Sequence, residues 1–222
     1  MSSGAYVQLL DPACGIFLLA AVLILWRHEL AAAITAFRVQ GIALAVIVLL
    51  LGGHEGRREL VGVAAGMALL RAGVLPALMR RVQVADERGG QGRESRPIVN
   101  VSASLLAAAA LTLLAYALAQ PLVELHRTPA TQAVPVGLAV ALIGFFTLVT
   151  RRRALSQVVG FGLLDNGITA VAFLTTSGVP LIVELAVSFD VLLAVLVLRV
   201  LTARMRTVFG DTDLDDLREL HD

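Results

Sequence analysis

The sequence contains no lysine, so all 18 of its basic residues are arginine. Charged residues make up only 16% of the 222 positions and hydrophobic residues 58%. A typical soluble domain has about 25% charged residues. The 17 acidic residues almost balance the arginines and leave a formal net charge of +1. This balance argues against a nucleic-acid-binding protein.

The sequence also lacks the motifs of catalytic and redox sites. Its one cysteine, Cys14, lies in an apolar run and can form no disulfide within the chain. We find no CxxC set for an iron–sulfur cluster, no phosphate-binding glycine loop, no His/Glu metal spacing and no nucleophile triad. We therefore expect no catalytic residue, no metal site and no cofactor in this chain.

Long apolar segments dominate what is present. They fall at about 9–26, 32–52, 60–79, 98–120, 133–150, 154–176 and 180–203. Each has close to the ~20 helical residues that cross a bilayer, which predicts an all-α, polytopic membrane protein with seven transmembrane helices. The first basic residue, Arg27, follows the first segment, so we interpret that segment as a retained helix and not a signal peptide.

The arginines predict the orientation and the connections. If the N-terminus lies outside, thirteen arginines fall on the cytoplasmic side and three outside. This distribution is the expected one, because short arginine-rich loops stay on the cytoplasmic side. We thus expect a multi-pass protein of the cell membrane with a cytoplasmic C-terminus. The stretch 80–97 is rich in glycine and charge and predicts a flexible surface connection. The acidic tail, 207–222, is expected to form a short cytoplasmic helix that docks on a partner.

A turn-type tripeptide, Asp165-Asn166-Gly167, interrupts the sixth apolar segment. A hairpin there would expose unpaired backbone groups to lipid, so we predict that the tripeptide lies in mid-helix. Gly167 then either allows a neighbouring helix to approach closely or marks a π-bulge. Gly160, seven residues earlier, lies on the same face, and we favour helix packing for both glycines.

Charged residues inside the apolar segments include Arg38, Arg71, Asp165, Glu184 and Asp190. A charge at the bilayer centre costs about 2.5–3.5 kcal/mol on insertion scales, so such residues are functional candidates. A carboxyl group at this depth can bind and release a proton. We predict that the three carboxylates form a proton relay. The alternative is that they only pair with arginines or hydrogen-bond across helices.

The two intramembrane arginines stay protonated at any working pH and cannot shuttle protons. We expect Arg71 to act as a fixed counter-ion to the carboxylates. Arg38 lies near the start of its segment, and we expect its side chain to snorkel to the interface.

The stretches RRRALSQVVGFGLLDNG at 151–167 and VPLIVELAVSFDVLLAVLVLRVL at 179–201 resemble the component E membrane subunit of hydrogenase-4 and related formate hydrogenlyase-like complexes. RAGVLPALMRR at 71–81 is similar to the family's third helix, and Gln40 matches a polar position in its second. The last three helices are more distantly similar to the K subunit of respiratory complex I, whose two glutamates take part in proton transfer. By position, Asp165 matches the first, and Asp190 or Glu184 the second. Where this chain has Asp165 and Arg71, the family usually has Glu and Lys.

The resemblance implies a non-catalytic subunit of a complex I-like, group 4 [NiFe]-hydrogenase or formate hydrogenlyase-type complex. It implies an N-terminal four-helix region at 1–132, a K-subunit-like region at 133–206 and the tail at 207–222. The partners would be an antiporter-like subunit and the membrane foot of a hydrogenase arm, within the lipid bilayer. Two alternatives stay open, a subunit of a multi-subunit cation/proton antiporter and a passive structural subunit.

Overall fold

The protein is described by a computed structural model that covers residues 3–27, 29–87, 100–151 and 153–176. All regular structure within these ranges is helical. The elements in chain order are α1 (Ser3–Trp26), α2 (Leu30–Glu55), α3 (Arg58–Met67), a π-helical segment (Ala68–Val74), α4 (Leu75–Glu87), α5 (Val101–Leu125), α6 (Pro129–Thr150) and α7 (Ala154–Thr176).

Six helices in these ranges are long and apolar enough to cross a membrane, with α3, the π-helical segment and α4 counted as one. They correspond to the first six segments that the sequence predicts. The sixth, α7, has the predicted bounds, α1 and α6 begin earlier than predicted, and α5 begins and ends later. The second and third spans extend beyond both predicted ends. The chain is therefore a membrane protein with an all-helical described part. The predicted seventh helix at 180–203, with Glu184 and Asp190, and the tail at 207–222 lie outside the described residues.

The connection predicted from residue 80 onward is wrong in its first part, because α4 continues to Glu87. The fall in hydropathy after Met79 marks a change in the helix's surroundings and not its end. Arginine, glutamine and glutamate are all good helix formers, and the Arg80 side chain also donates a hydrogen bond of 2.9 Å to Thr35 on α2.

The turn between α2 and α3 brings the helix with the π-helical segment back against α2. Gly56 ends α2 in the left-handed conformation, with φ of 70°, which glycine adopts without strain. A Cβ atom on Gly52 would lie 2.7 Å from the Leu60 Cβ atom, so the two helices are close from the turn onward. Gly41 continues this contact, because its own Cβ would lie 2.9 Å from the Arg71 backbone.

Glycines hold α6 and α7 at very short range. A Cβ on Gly160 would lie 2.7 Å from the Leu148 backbone nitrogen, and one on Gly167 would lie 2.6 Å from the Ala141 Cα atom. Gly137 and Gly144 of α6 face the α7 backbone in the same way. Lipid tails provide no hydrophobic drive between helices, so helix association in a membrane relies on close packing of this kind together with interhelical hydrogen bonds. It fixes the position of α7 in the bundle.

Candidate functional site: a buried polar cluster across three helices

The centre of α7 presents three polar side chains to the interior. Asp165 lies eleven residues from either end of the helix, which runs without interruption from Ala154 to Thr176. The mid-helix prediction for Asp165-Asn166-Gly167 is therefore confirmed. Thr169 lies one turn after Asp165 on the same side. Asn166 is completely buried, and Asp165 and Thr169 are nearly so.

Arg71 joins this group from the π-helical segment and is 1% exposed. Its Nη1 atom lies 2.6 Å from the Asp165 Oδ2 atom, which makes a buried ion pair. Nη1 also donates a hydrogen bond to the Asn166 side-chain oxygen. Nη2 donates a hydrogen bond of 3.1 Å to the Thr169 hydroxyl. One guanidinium therefore engages three polar side chains of α7.

Gln40 extends the cluster to α2. Its side chain is completely buried, and its Oε1 atom accepts a hydrogen bond of 2.9 Å from the Asn166 amide. The Gln40 amide nitrogen has no hydrogen-bond partner among the described residues. Gln40, Asn166, Arg71, Asp165 and Thr169, which we call the polar cluster, thus form one connected network across α2, the π-helical segment and α7.

Small residues let the three helices meet at this point. Gly41 follows Gln40 and packs against the backbone of Arg71, and Gly162 lies against the Phe37 ring, where a Cβ would be 2.7 Å from the ring edge. A π-helical turn has i→i+5 hydrogen bonds and often occurs at functional sites. Here it carries Arg71. Gly167 does not mark a π-bulge, because α7 is α-helical there.

The electrostatics of the polar cluster depend on one carboxylate and one fixed cation. With Asp165 ionised, its charge and that of Arg71 cancel. With Asp165 protonated, the cluster carries one positive charge, because Arg71 does not release its proton. Removing one partner of a buried pair typically costs 3–5 kcal/mol. Because Arg71 keeps its proton, only the protonation of Asp165 can change the net charge of the cluster. Among the residues that the structure describes, no group of three His, Cys, Asp or Glu side chains could hold a metal.

The structure brings together Arg71, Asp165 and Gln40 of the predicted site residues, and it separates Arg38 from them. Arg38 is exposed, and it lies two residues before Gln40, which puts it on nearly the opposite side of α2. Glu184 and Asp190 are outside the described residues.

Asn166 and Thr169 are members of the cluster that were not predicted from the sequence. Asn166 drew attention only as a turn-forming residue. The available signal was spacing, because a polar residue next to Asp165 and another one turn later share its face of the helix.

Comparisons with known proteins place the chain among relatives. It is 50% identical over 222 residues to Uncharacterized protein Rv0085 of Mycobacterium tuberculosis, and the match covers 100% of both chains. The chain belongs to the family of this mycobacterial protein. It is also 30% identical over 115 residues to Hydrogenase-4 component E of Escherichia coli (strain K12) and of Shigella flexneri. These matches cover 52% of this chain and 53% of each relative.

The similarity to Hydrogenase-4 component E is thus distant and spans about half of each protein. No known protein-family profile matches the chain, and no solved structure matches it.

Proposed function

We propose that the chain is a seven-helix, non-catalytic subunit of a complex I-like group 4 [NiFe]-hydrogenase or formate hydrogenlyase-type complex in the cell membrane. The similarity to Hydrogenase-4 component E supports the type of complex. The excess of arginines in alternate loops supports an N-terminus outside and a C-terminus in the cytoplasm. Electron transfer would take place in partner subunits, and this chain would contribute to proton translocation.

One observation carries the proposal: the ion pair between Arg71 and Asp165 in the middle of a membrane-spanning bundle. Ionisable residues at such depth are rare and typically belong to ion pathways or proton relays. An apolar pair would pack there without the cost of burying two charges. The amide oxygen of Asn166 and the hydroxyl of Thr169 accept hydrogen bonds from the Arg71 guanidinium, and the Asn166 amide donates one to Gln40, so the buried cation of the pair is held by further polar groups.

In the proposed mechanism Asp165 alternates between two states. As a carboxylate it is paired with Arg71. When a proton reaches it, the neutral acid no longer neutralises the guanidinium, which keeps its hydrogen bonds to Asn166 and Thr169. Arg71 thereby stays in place as a fixed charge that favours the return to the carboxylate. Glu184 and Asp190 are proposed as further relay groups that receive or supply this proton.

A passive structural role is the second candidate, and the hydrogen-bond pattern gives it support. Arg71 binds three residues of α7, and Asn166 binds α2. Such a network fixes how three helices meet whether or not a proton moves. Asp165→Asn separates the two functions, because asparagine keeps a hydrogen-bonding oxygen but cannot exchange a proton. A structural subunit would keep full coupled proton movement in this variant.

The type of complex is tested by isolating the tagged chain from its own membranes in a mild detergent. Mass spectrometry identifies the proteins that accompany it, and elemental analysis measures nickel and iron. We expect hydrogenase-like large and small subunits together with both metals. Antiporter subunits without nickel would contradict this proposal and support the antiporter alternative.

A further inference from the structure

One face of α1 combines small and polar residues on the outside of the bundle. Gly4, Gln8, Asp11 and Gly15 are all exposed, and a Cβ on either glycine would meet no atom within 4 Å. Their spacing of four, three and four residues keeps them within about 60° around the helix. We call these four residues the α1 stripe. Exposed apolar side chains border it, with Leu9 50% and Ile16 49% exposed.

The neighbouring helix indicates the depth of Asp11. The rings of Tyr6 and His54 stack with centroids 4.2 Å apart, which aligns this end of α1 with the polar end of α2. Asp11 is five residues further along α1, or roughly 7–8 Å deeper at 1.5 Å per residue. On the antiparallel α2 this level corresponds to Leu49, which is 45% exposed. Asp11 therefore lies on an outer face at a level where α2 exposes leucine.

The described part of this chain offers Asp11 no counter-ion. Asp11 takes no part in the ion pairs of Arg57 with Glu59 and of Arg71 with Asp165. Residues 177–198 contain no basic residue and two acids, Glu184 and Asp190, so that segment could not neutralise Asp11. A second copy that packed symmetrically would place two Asp11 carboxylates together, because a two-fold contact pairs identical patches. Aspartate is also too short to snorkel as Arg and Lys do.

We propose that the α1 stripe is the docking surface for a transmembrane helix of a different subunit, and that this helix carries a Lys or Arg opposite Asp11. The glycines let the two backbones approach closely, as small residues do in membrane helix pairs. The cation neutralises a carboxylate that lipid cannot solvate. This surface is distinct from the polar cluster, and the inference holds whether or not Asp165 transfers protons.

The test starts with a photo-crosslinking amino acid at Gln8, which leaves Asp11 unchanged, in the full chain expressed in its own membranes. The control carries the same amino acid at Leu114, an exposed position on α5. After illumination, crosslinked peptides are sequenced. We expect a Gln8 crosslink to an apolar segment of another membrane protein that contains Lys or Arg, and no crosslink to that protein from Leu114.

A charge test follows on the captured partner. Asp11→Asn should lower recovery of the partner with the tagged chain on the order of tenfold, because it leaves a buried cation unpaired. Glu124→Gln, which changes an exposed acid on α5, should leave recovery unchanged. Asp11→Lys combined with Asp or Glu in place of the partner's basic residue should restore it.

Four results would overturn the inference: crosslinks only to lipid, to a second copy of this chain, to residues 177–203 of the same chain, or to a partner segment without a basic residue. Unchanged partner recovery with Asp11→Asn would also overturn it. If Asp11→Asn does not accumulate in the membrane, the charge test uses Asp11→Glu. This variant keeps the charge and should retain the partner, whereas partner loss with Asp11→Glu would contradict the pairing.

Discussion

The ion pair between Arg71 and Asp165 predicts a non-additive double-mutant cycle. Asp165→Leu leaves a guanidinium buried without its carboxylate, for which the typical cost is about 3–5 kcal/mol. The hydrogen bonds from Arg71 to Asn166 and Thr169 remain, so we expect the lower end of that range. Arg71→Met leaves no buried charge, because an isolated Asp165 can take up a proton and become neutral, but it removes the hydrogen-bond donor of Asn166 and Thr169.

The double variant Arg71→Met/Asp165→Leu should be destabilised by less than the sum of the two single changes. Buried ion pairs are often replaced by apolar residues with no net destabilisation. Two polar acceptors, on Asn166 and Thr169, would still lose their donor, which costs about 1–3 kcal/mol for a buried group. We therefore expect non-additive losses, because the double variant leaves no buried charge without a partner.

Thermal unfolding of the purified chain in detergent measures the cycle. At roughly 2–4 °C per kcal/mol for a chain of this size, Asp165→Leu should lower the melting temperature by about 6–12 °C. The exposed pair of Arg57 and Glu59, with 3.9 Å between its charged atoms, supplies the control, and Glu59→Gln should change the melting temperature by less than about 2 °C. If the double variant loses as much stability as the two single variants together, Arg71 and Asp165 do not stabilise each other, and the reasoning is refuted.

Two further predictions concern the packing of the bundle. Gly167→Ala should lower the melting temperature by several degrees and weaken the contact of α6 with α7, because the new methyl group would lie 2.6 Å from the Ala141 Cα atom. The control is Gly62→Ala, since a Cβ on Gly62 would meet no atom within 4 Å. This control should be neutral or slightly stabilising in the same melting assay. Arg151→Ala should lower the stability of the folded chain by about 1–3 kcal/mol. The Arg151 Nη2 atom donates hydrogen bonds to backbone oxygens at the end of α1, among them that of Leu25 at 2.9 Å. The control is Arg81→Ala, which changes an exposed side chain, and equal melting temperatures for the two variants would contradict the role of Arg151.

The six described spans could be predicted from hydropathy because the bilayer requires about 20 apolar residues per helix. The placement of Asp165-Asn166-Gly167 in mid-helix followed from the same rule, since distance to the segment ends outweighs a local turn preference. Charge inside an apolar segment was likewise enough to single out Arg71 and Asp165 as candidates.

Three features could not be read from the sequence. The π-helical segment carries Arg71 and packs closely against Gly41 of α2, and a local sequence pattern does not encode that contact. The end of α4 at Glu87 could not be predicted, because a run of polar residues after an apolar segment fits either a helix that continues out of the membrane or a loop. Arg38 and Gln40 are close in sequence but lie on different sides of α2, so only the packing of α2 decides which of them joins the polar cluster.

Coupled proton movement in the Asp165→Asn variant is the most direct test of the proposed relay. The complex is reconstituted in vesicles, and a pH-sensitive dye follows proton movement while hydrogen oxidation drives turnover. Asp165→Glu, which keeps the carboxyl group, is the matched control. The account predicts that Asp165→Asn assembles normally and loses most coupled proton movement, whereas Asp165→Glu retains it. Wild-type proton movement in an assembled Asp165→Asn complex would contradict the relay and leave the polar cluster with a structural role.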